Sequence, residues 1–345
     1  VAFQLGDQLP DVNFIGGDLV ILSGKAAGRT LQLTKVEGDK VVLGPADPSV
    51  LVLIQTGDEV VVDNSNFLAV QTYHRHQLPG KEFYVWDQFR DNEGNPLYPQ
   101  RPMLLGPMFT MGAAGVLPSG RFKGKMILLE SLWDREAFPW QADWYRTKVQ
   151  ENIGSETDNN FRLWYTDRAL HGDNSEQEYP TRTVSYLGVL QQALRDLSAW
   201  VEKGKDPPAS TNYTISDGQV KLPARAAERK GIQPVVILTA DGNESTKTKA
   251  GTRVRFRASV EIPPDAGRLV SVRWDLEGSG RFGEEMKLRK SGPGKSGGVL
   301  KVSHIYNEPG TFFPSVLVAS QREGNMKTPF TLIRNIGRAR VLVSR

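Results

Sequence analysis

The chain has 345 residues, enough for two or three domains at about 100–200 residues each. Its 43 basic and 39 acidic residues leave a net charge of +4, scattered rather than run together, so a nucleic-acid-binding stripe is excluded as its organising feature. There is no Cys, which excludes disulfide frameworks, thiolate metal sites and a Cys nucleophile, and no apolar run approaches the ~18 residues of a membrane span.

Residues 1–62 predict a β-rich module. Short apolar runs such as GDLVILSG, RTLQLTKV, DKVVLGP and DEVVVDN are broken by Gly, Asp and Pro. Gly-Asp pairs at Gly17-Asp18, Gly38-Asp39 and Gly57-Asp58 mark tight turns. The spacing suits a small antiparallel barrel or meander. The opening Val1 suggests a processed or trimmed start, with further residues upstream.

From Asn64 the pattern turns helical, with Phe67, Leu68, Val70, Tyr73 and His74 at helix spacing. Residues 79–121 are rich in aromatics, Pro and Gly, and predict an irregular cover over a cleft, since Trp86, Phe89, Tyr98 and Phe109 are costly to leave wet. Then Lys125–Glu130 predicts a strand buried on both faces. A helix follows over Trp140–Glu151 and a second strand over Phe161–Thr166. The most regular helix lies at Val184–Lys203, where Leu187, Leu190, Leu194, Leu197 and Val201 form a stripe and Gly204 is a stop. Strand-helix-strand-helix alternation implies parallel strands and an α/β layer. Residues 211–231 are polar and turn-rich and read as a linker. Residues 232–345 read as all-β, about seven short strands of a sandwich with Trp274 and Phe313 pointing inward. The fold class is therefore multidomain α/β plus all-β: module 1–62, α/β segment 63–210 with cover 79–121, linker 211–231, sandwich 232–345.

Two stretches resemble known families. Trp274-Asp275-Leu276-Glu277-Gly278-Ser279-Gly280, followed by Val302-Ser303-His304-Ile305-Tyr306 and Glu308-Pro309-Gly310-Thr311-Phe312, is similar to the W-D-F-G-D-G turn and V-x-H-x-Y…P-G-x-Y hairpin of PKD-type immunoglobulin-like domains. Leu276, Glu277 and a Lys- and Gly-rich insertion near 287–298 depart from that pattern. Such domains serve as spacers or binding modules on extracellular enzymes, which implies a secreted or cell-surface protein, here expected from a bacterium. Residues 124–208 resemble the C-terminal end of an α/β-hydrolase of the esterase or tannase kind. There an acid follows a late strand and a His follows the last one. The matching positions are Asp134 and His171.

The resemblance implies ester hydrolysis with Asp134 orienting His171, and His171 acting as base and then acid. Glu130 ends the same strand and is the second choice of acid; Asp143, Asp167 and Asp173 also compete. No G-x-S-x-G occurs. Ser65 follows a strand, but Asp63 and Phe67 stand where a strained elbow needs small residues. The nucleophile is therefore expected on an upstream segment of the polypeptide or on a partner chain, or the activity has been lost. No cofactor is expected. The substrate would be an ester or a polymer, carbohydrate included. Trp133 is the aromatic best placed for a cleft.

Three other readings come from the residues. A non-catalytic extracellular protein would present a carbohydrate- or protein-binding face. A metal enzyme would use His74 and His76 with Asp63 and Asp87. In the last segment Asp241, Asp275 and Glu277 are candidate Ca²⁺ oxygens, although acidic turns are common in sandwiches.

Overall fold

The computed structural model describes residues 1–345 except 13, 15, 66, 67, 69–72, 101–117, 174, 175 and 287–296. Expectations that fall on Phe67, Val70, Phe109, the side chains of Tyr73 and His74, and residues 287–296 lie outside the described residues. The chain forms two compact units, Val1–Leu117 and Pro118–Arg345.

The first unit contains a five-stranded antiparallel sheet. Its strands are β1 (Ala2–Gln4), β2 (Asp18–Ile21), β3 (Thr30–Glu37), β4 (Lys40–Leu43) and β5 (Val60–Asp63), in the order β1-β4-β3-β2-β5. Alternation in β3 buries Leu31 and Leu33, which pack with Leu19, Ile21, Val41 and Leu43. Gly38, at φ +62°, makes the β3–β4 turn that its Gly-Asp pair announces. Short helices follow at α1 (Pro48–Leu51) and α2 (Tyr73–His76).

The second unit begins with β6 (Met126–Ser131), α3 (Trp140–Ile153), α4 (Thr157–Asn160) and β7 (Phe161–Thr166). β6 and β7 pair in parallel, Met126 opposite Phe161 through Ser131 opposite Thr166. Period-2 geometry divides their side chains between two cores. Met126, Leu128, Phe161, Leu163 and Tyr165 pack with Ala142 and Val149 of α3. Ile127, Leu129 and Trp164 face the other way, into the core of the sandwich. One edge of β7 is closed by the segment around Ser210 and Thr211. The Leu163 amide donates to Ser210 Oγ at 3.1 Å, the Tyr165 amide to Thr211 Oγ1 at 3.1 Å, and the Thr211 amide to the Leu163 carbonyl at 2.8 Å. Among the described residues, no strand pairs with the outer edge of β6.

Helix α5 (Leu187–Lys203) ends at Gly204, at φ +62°, as its sequence predicts. Its packing differs from the leucine pattern. The buried side is Gly188, Val189, Gln192, Ala193, Asp196 and Trp200, whereas Leu187, Leu190, Leu194 and Val201 are exposed. Polar partners make the polar side of α5 buriable. Gln192 donates to Asp196 at 3.0 Å, and Arg322 of the sandwich forks onto both Asp196 oxygens at 2.7 and 3.3 Å.

The polar segment expected as a linker carries a hairpin, β8 (Thr214–Ser216) and β9 (Gln219–Lys221), and a short helix, α6 (Ala226–Arg229). Tyr213, Val220 and Leu222 pack against the α3 core.

Among the described residues, nine strands complete the second unit: β10 (Val235–Ala240), β11 (Ser245–Lys249), β12 (Arg253–Glu261), β13 (Arg268–Asp275), β14 (Gly298–Ile305), β15 (Gly310–Phe312), β16 (Ser315–Gln321), β17 (Ile333–Arg338) and β18 (Arg340–Ser344). They form sheets β10-β12-β14, β11-β18-β15 and β13-β16-β17, antiparallel except for β11 with β18. The chain is thus β-rich, with a sandwich at the end. Trp274 packs against the sandwich core as expected; Phe312 packs there too, whereas Phe313 instead carries the Arg338 guanidinium at 4.0 Å. Asp275 accepts the amides of Gly278, Ser279 and Gly280 at 2.7–3.1 Å, and Tyr306 donates to the Leu276 carbonyl at 2.7 Å.

Candidate functional site

The two sequence-predicted site residues are brought together. Parallel strands deliver both of their C-terminal ends to one edge. After β6 the Leu132 amide continues the pairing to the Thr166 carbonyl at 2.9 Å, and the Trp133 amide reaches the Ala169 carbonyl at 3.1 Å. The loops carrying Asp134 and His171 are therefore bonded to each other by backbone. His171 Nδ1 then lies 2.8 Å from Asp134 Oδ2.

Asp134 is held by its other oxygen. Oδ1 accepts the amides of Glu136 at 2.8 Å and Ala137 at 2.9 Å, an Asx-type turn. The reading of Asp134 as a loop-closing residue and the reading of it as partner to His171 are satisfied at once, by different oxygens. An ionised carboxylate only accepts, so Nδ1 of His171 carries the proton. Its Nε2 is then the acceptor of the neutral ring, with Glu136 Oε2 3.8 Å away. The Asp134 side chain is 7% exposed and that of His171 is 53% exposed. The pair thus presents a wet imidazole edge backed by a nearly dry carboxylate.

Electrostatics follow this placement. Burial pushes Asp134 up, but the amides of Ala137 and Glu136 and the imidazole of His171 outweigh it and hold the carboxyl below its usual range. The hydrogen bond to Asp134 and the charge behind it raise His171 above an ordinary imidazole. Glu130 is pushed up to about 7, mainly by burial, with the charge of Asp134 adding and that of His171 opposing. Glu130 thus stays protonated through the acidic range in which Asp134 is already an anion, which makes Asp134 the better partner for an imidazolium there.

Other expected residues sit elsewhere. Trp133 is exposed and carries the Arg168 guanidinium 5.1 Å from its ring centre. Asp143 accepts Tyr213 Oη at 2.6 Å, and Asp167 lies 3.7 Å from Arg229. A cleft of about 250 Å³ lies beside the pair, with Arg135, Glu136, Leu170, His171, Gly172 and Glu178 on its walls. In the first unit, Ser65 donates its hydroxyl to Asp63 Oδ2 and its amide to Asp63 Oδ1, both at 2.8 Å, the pattern of a helix start. His76 Nδ1 lies 2.8 Å from the Pro99 carbonyl, with its ring edge-on to Tyr98. Among the described residues, no group of three or more metal-ligating side chains is gathered. Asp241 and Asp275 accept backbone amides, and Glu277 pairs with His304 at 2.6 Å.

Sequence reasoning missed the Trp133–Ala169 backbone bond and the left-handed Arg168, at φ +62°, that turns the chain after β7. A non-glycine residue in that region is uncommon, and Arg168 carries no composition signal for it.

Comparison with known proteins bears on the sandwich. Residues 237–328 match the PKD domain family. Similar solved structures include the PKD domain of an M14-like peptidase from a Thermoplasmatales archaeon, at 16% identity, covering 33% of this chain and 100% of that one, with a TM-score of 0.24. A CARDB domain from Pyrococcus furiosus, in complex with di-metal ions, matches at 16% identity over 32% of this chain and 92% of that one, TM-score 0.23. A superoxide reductase from Ignicoccus hospitalis matches at 13% identity over 31% and 80%, TM-score 0.21. No curated protein matches the chain.

Proposed function

We propose that this chain carries the acid and the base of a secreted or cell-surface, serine-type ester hydrolase of the α/β-hydrolase kind, followed by a PKD-type domain. The observation that carries the reading is the 2.8 Å bond between His171 Nδ1 and Asp134 Oδ2, at the C-terminal ends of two adjacent parallel strands. In this reaction His171 Nε2 takes the proton of a serine hydroxyl as that oxygen attacks the ester carbonyl. Asp134 fixes the tautomer and stabilises the imidazolium. The same proton then goes to the leaving alcohol, and water repeats the sequence on the acyl-enzyme. The substrate is an ester, free or on a polymer such as a carbohydrate, and no cofactor takes part.

The serine comes from an upstream segment of the polypeptide or from a partner chain. Two features support a further α/β portion. Parallel sheets are normally larger than two strands and buried on both faces, yet β6 keeps an unpaired outer edge among the described residues. The α5 stripe is also exposed, with Leu194 at 62% and Val201 at 63%. Fluorophosphonate treatment of the native, full-length protein tests the proposal. A labelled serine that is lost in His171→Gln is expected. A folded full-length protein with no labelled serine and no hydrolysis of p-nitrophenyl esters sinks it. That result would favour a non-catalytic binding protein, in which Asp134 and His171 clasp two loops, a role that the Asp134 turn already supports.

A further inference from the structure

The loop that carries His171 leaves β7 at Asp167, and a buried side chain holds that point. Gln233 precedes β10 and is 4% exposed. Its Oε1 accepts the Asp167 amide at 2.8 Å. Its Nε2 donates to the Asp167 carbonyl and to the Arg334 carbonyl of β17, each at 3.0 Å. One carboxamide thus pairs with both backbone groups of Asp167, as a neighbouring strand would, and uses its second N–H to reach the sandwich. Asn335, also buried, donates to the Pro234 carbonyl at 2.7 Å and fixes the backbone on which Gln233 stands.

Beyond Asp167 the loop is held again at short intervals. The Arg168 carbonyl accepts the Val184 amide at 3.0 Å, the Ala169 carbonyl accepts that of Trp133, and the His171 carbonyl accepts Tyr186 Oη at 3.3 Å. These bonds shape the loop, whereas the Gln233 bonds set where its root stands relative to the sandwich.

We infer that Gln233 is a positioning residue for His171, registering the root of the imidazole loop against the sandwich, so that this domain is a structural part of the acid–base site rather than a spacer. The inference rests on the proposed roles of Asp134 and His171. Its physical basis is that an acid–base constellation must be held within about 0.5 Å. A half-buried amide and carbonyl that lose their partners carry a desolvation cost, which a shift of the loop root toward water relieves.

The full chain has four His, so its imidazole nitrogens can be followed individually by ¹⁵N–¹H NMR, with His171→Gln assigning the signal. Wild-type His171 is expected to show a downfield Nδ1–H and to titrate above the ordinary value of about 6.5. Gln233→Met keeps the volume and removes all three bonds. In it the downfield proton is expected to be lost and the His171 midpoint to fall toward about 6.5. Gln233→Glu keeps an acceptor for the Asp167 amide but removes both donors, and should shift His171 in the same direction. If a folded variant keeps the wild-type His171 midpoint and downfield proton, the inference is overturned. Should neither variant fold, hydrogen exchange in the wild type decides. Protection of the Asp167 amide equal to that of the β7 interior supports the inference, and loop-like exchange overturns it. None of these readouts requires a substrate. A His171 shift in a protein that never labels with fluorophosphonate would keep the positioning role and remove the hydrolase reading.

Discussion

The sandwich and the β6–β7 layer share a core yet differ in what their polar groups are left to do. Trp164 of β7 and Val189 and Ala193 of α5 are buried together with Val254, Phe256, Val272 and Val316 of the sandwich. In the sandwich the family-matching Asp275 and Tyr306 are engaged at home. Asp275 closes its own turn, and Tyr306 closes onto Leu276. In the β6–β7 layer, Asp134 closes a turn with one oxygen and keeps the other for an imidazole that faces water. The family that is recognisable in sequence is thus the region whose polar groups serve folding. The region with the hydrogen-bonded carboxylate–imidazole pair lies outside the matched residues 237–328.

The largest expected effect sharpens that contrast on the chemical side. Asp134→Asn keeps the size of the side chain, but its amide can donate to Nδ1 and favours the wrong tautomer. For the proposed hydrolase, kcat for ester hydrolysis should fall by about 10⁴. The His171 midpoint should fall as well, because its upward shift comes from Asp134. An unchanged kcat would leave the pair as a loop clasp.

On the folding side, Asp275→Ala should have the largest effect on stability. The buried carboxylate accepts three amides, and its loss leaves them without a partner. A cost of about 3–4 kcal/mol is expected, read by urea denaturation. Because the core is shared, the amides of β7 and those of β12 and β16 should lose hydrogen-exchange protection in one denaturant transition. Two separated transitions would break the comparison at its premise.

Gly188→Ala probes the contact between the two regions. A Cβ at Gly188 would overlap the backbone carbonyl of Leu332, which a flexible side chain cannot relieve. The gain in helix propensity, about 1 kcal/mol, should be outweighed, for a net loss of about 1–3 kcal/mol in the same denaturation assay.

How much of this was legible in the sequence depends on how local the signal is. Phe161–Thr166 is read to the residue and Met126–Ser131 to within one, because short runs rich in apolar and aromatic residues between turn residues have few alternatives. The Asp134–His171 pair was reachable because parallel strands bring their ends together whatever the intervening sequence. The buried side of α5 was not legible. Gln192 and Asp196 are polar by type and become core residues through Arg322, 126 residues beyond Asp196 in sequence. Gln233 was hidden for the same reason, since its partners are backbone groups of Asp167 and Arg334. The linker reading followed composition, and composition does not register Tyr213, Val220 and Leu222 as three isolated anchors.

A smaller effect comes from Glu130. Its proton leaves at about 7 in the folded chain, against 4.5 as its ordinary value. Below pH 4.5 both states are protonated and nothing is lost. Between 4.5 and 7 the unfolded chain ionises while the folded chain does not, so stability falls as pH rises. Glu130→Gln removes that penalty. After discounting for partial exposure, a gain of about 1–2 kcal/mol is expected at pH 8 and none at pH 4, measured by denaturation at both values.

The smallest effect on this chain would say the most about what lies beside it. Leu194 and Val201 are exposed on α5, so Leu194→Glu with Val201→Glu should leave its stability within about 0.5 kcal/mol. An amphipathic helix ordinarily turns its leucines inward, because each buried leucine contributes about 1.5–3 kcal/mol. α5 does the reverse, using Asp196 and Gln192 to hold the sandwich. If further α/β structure covers the stripe in the full-length protein, the same double substitution there should cost several kcal/mol and reduce esterase activity in step. Equal tolerance in this chain and in the full-length protein would mean that the stripe stays exposed. The unpaired edge of β6 would then have to be completed without α5.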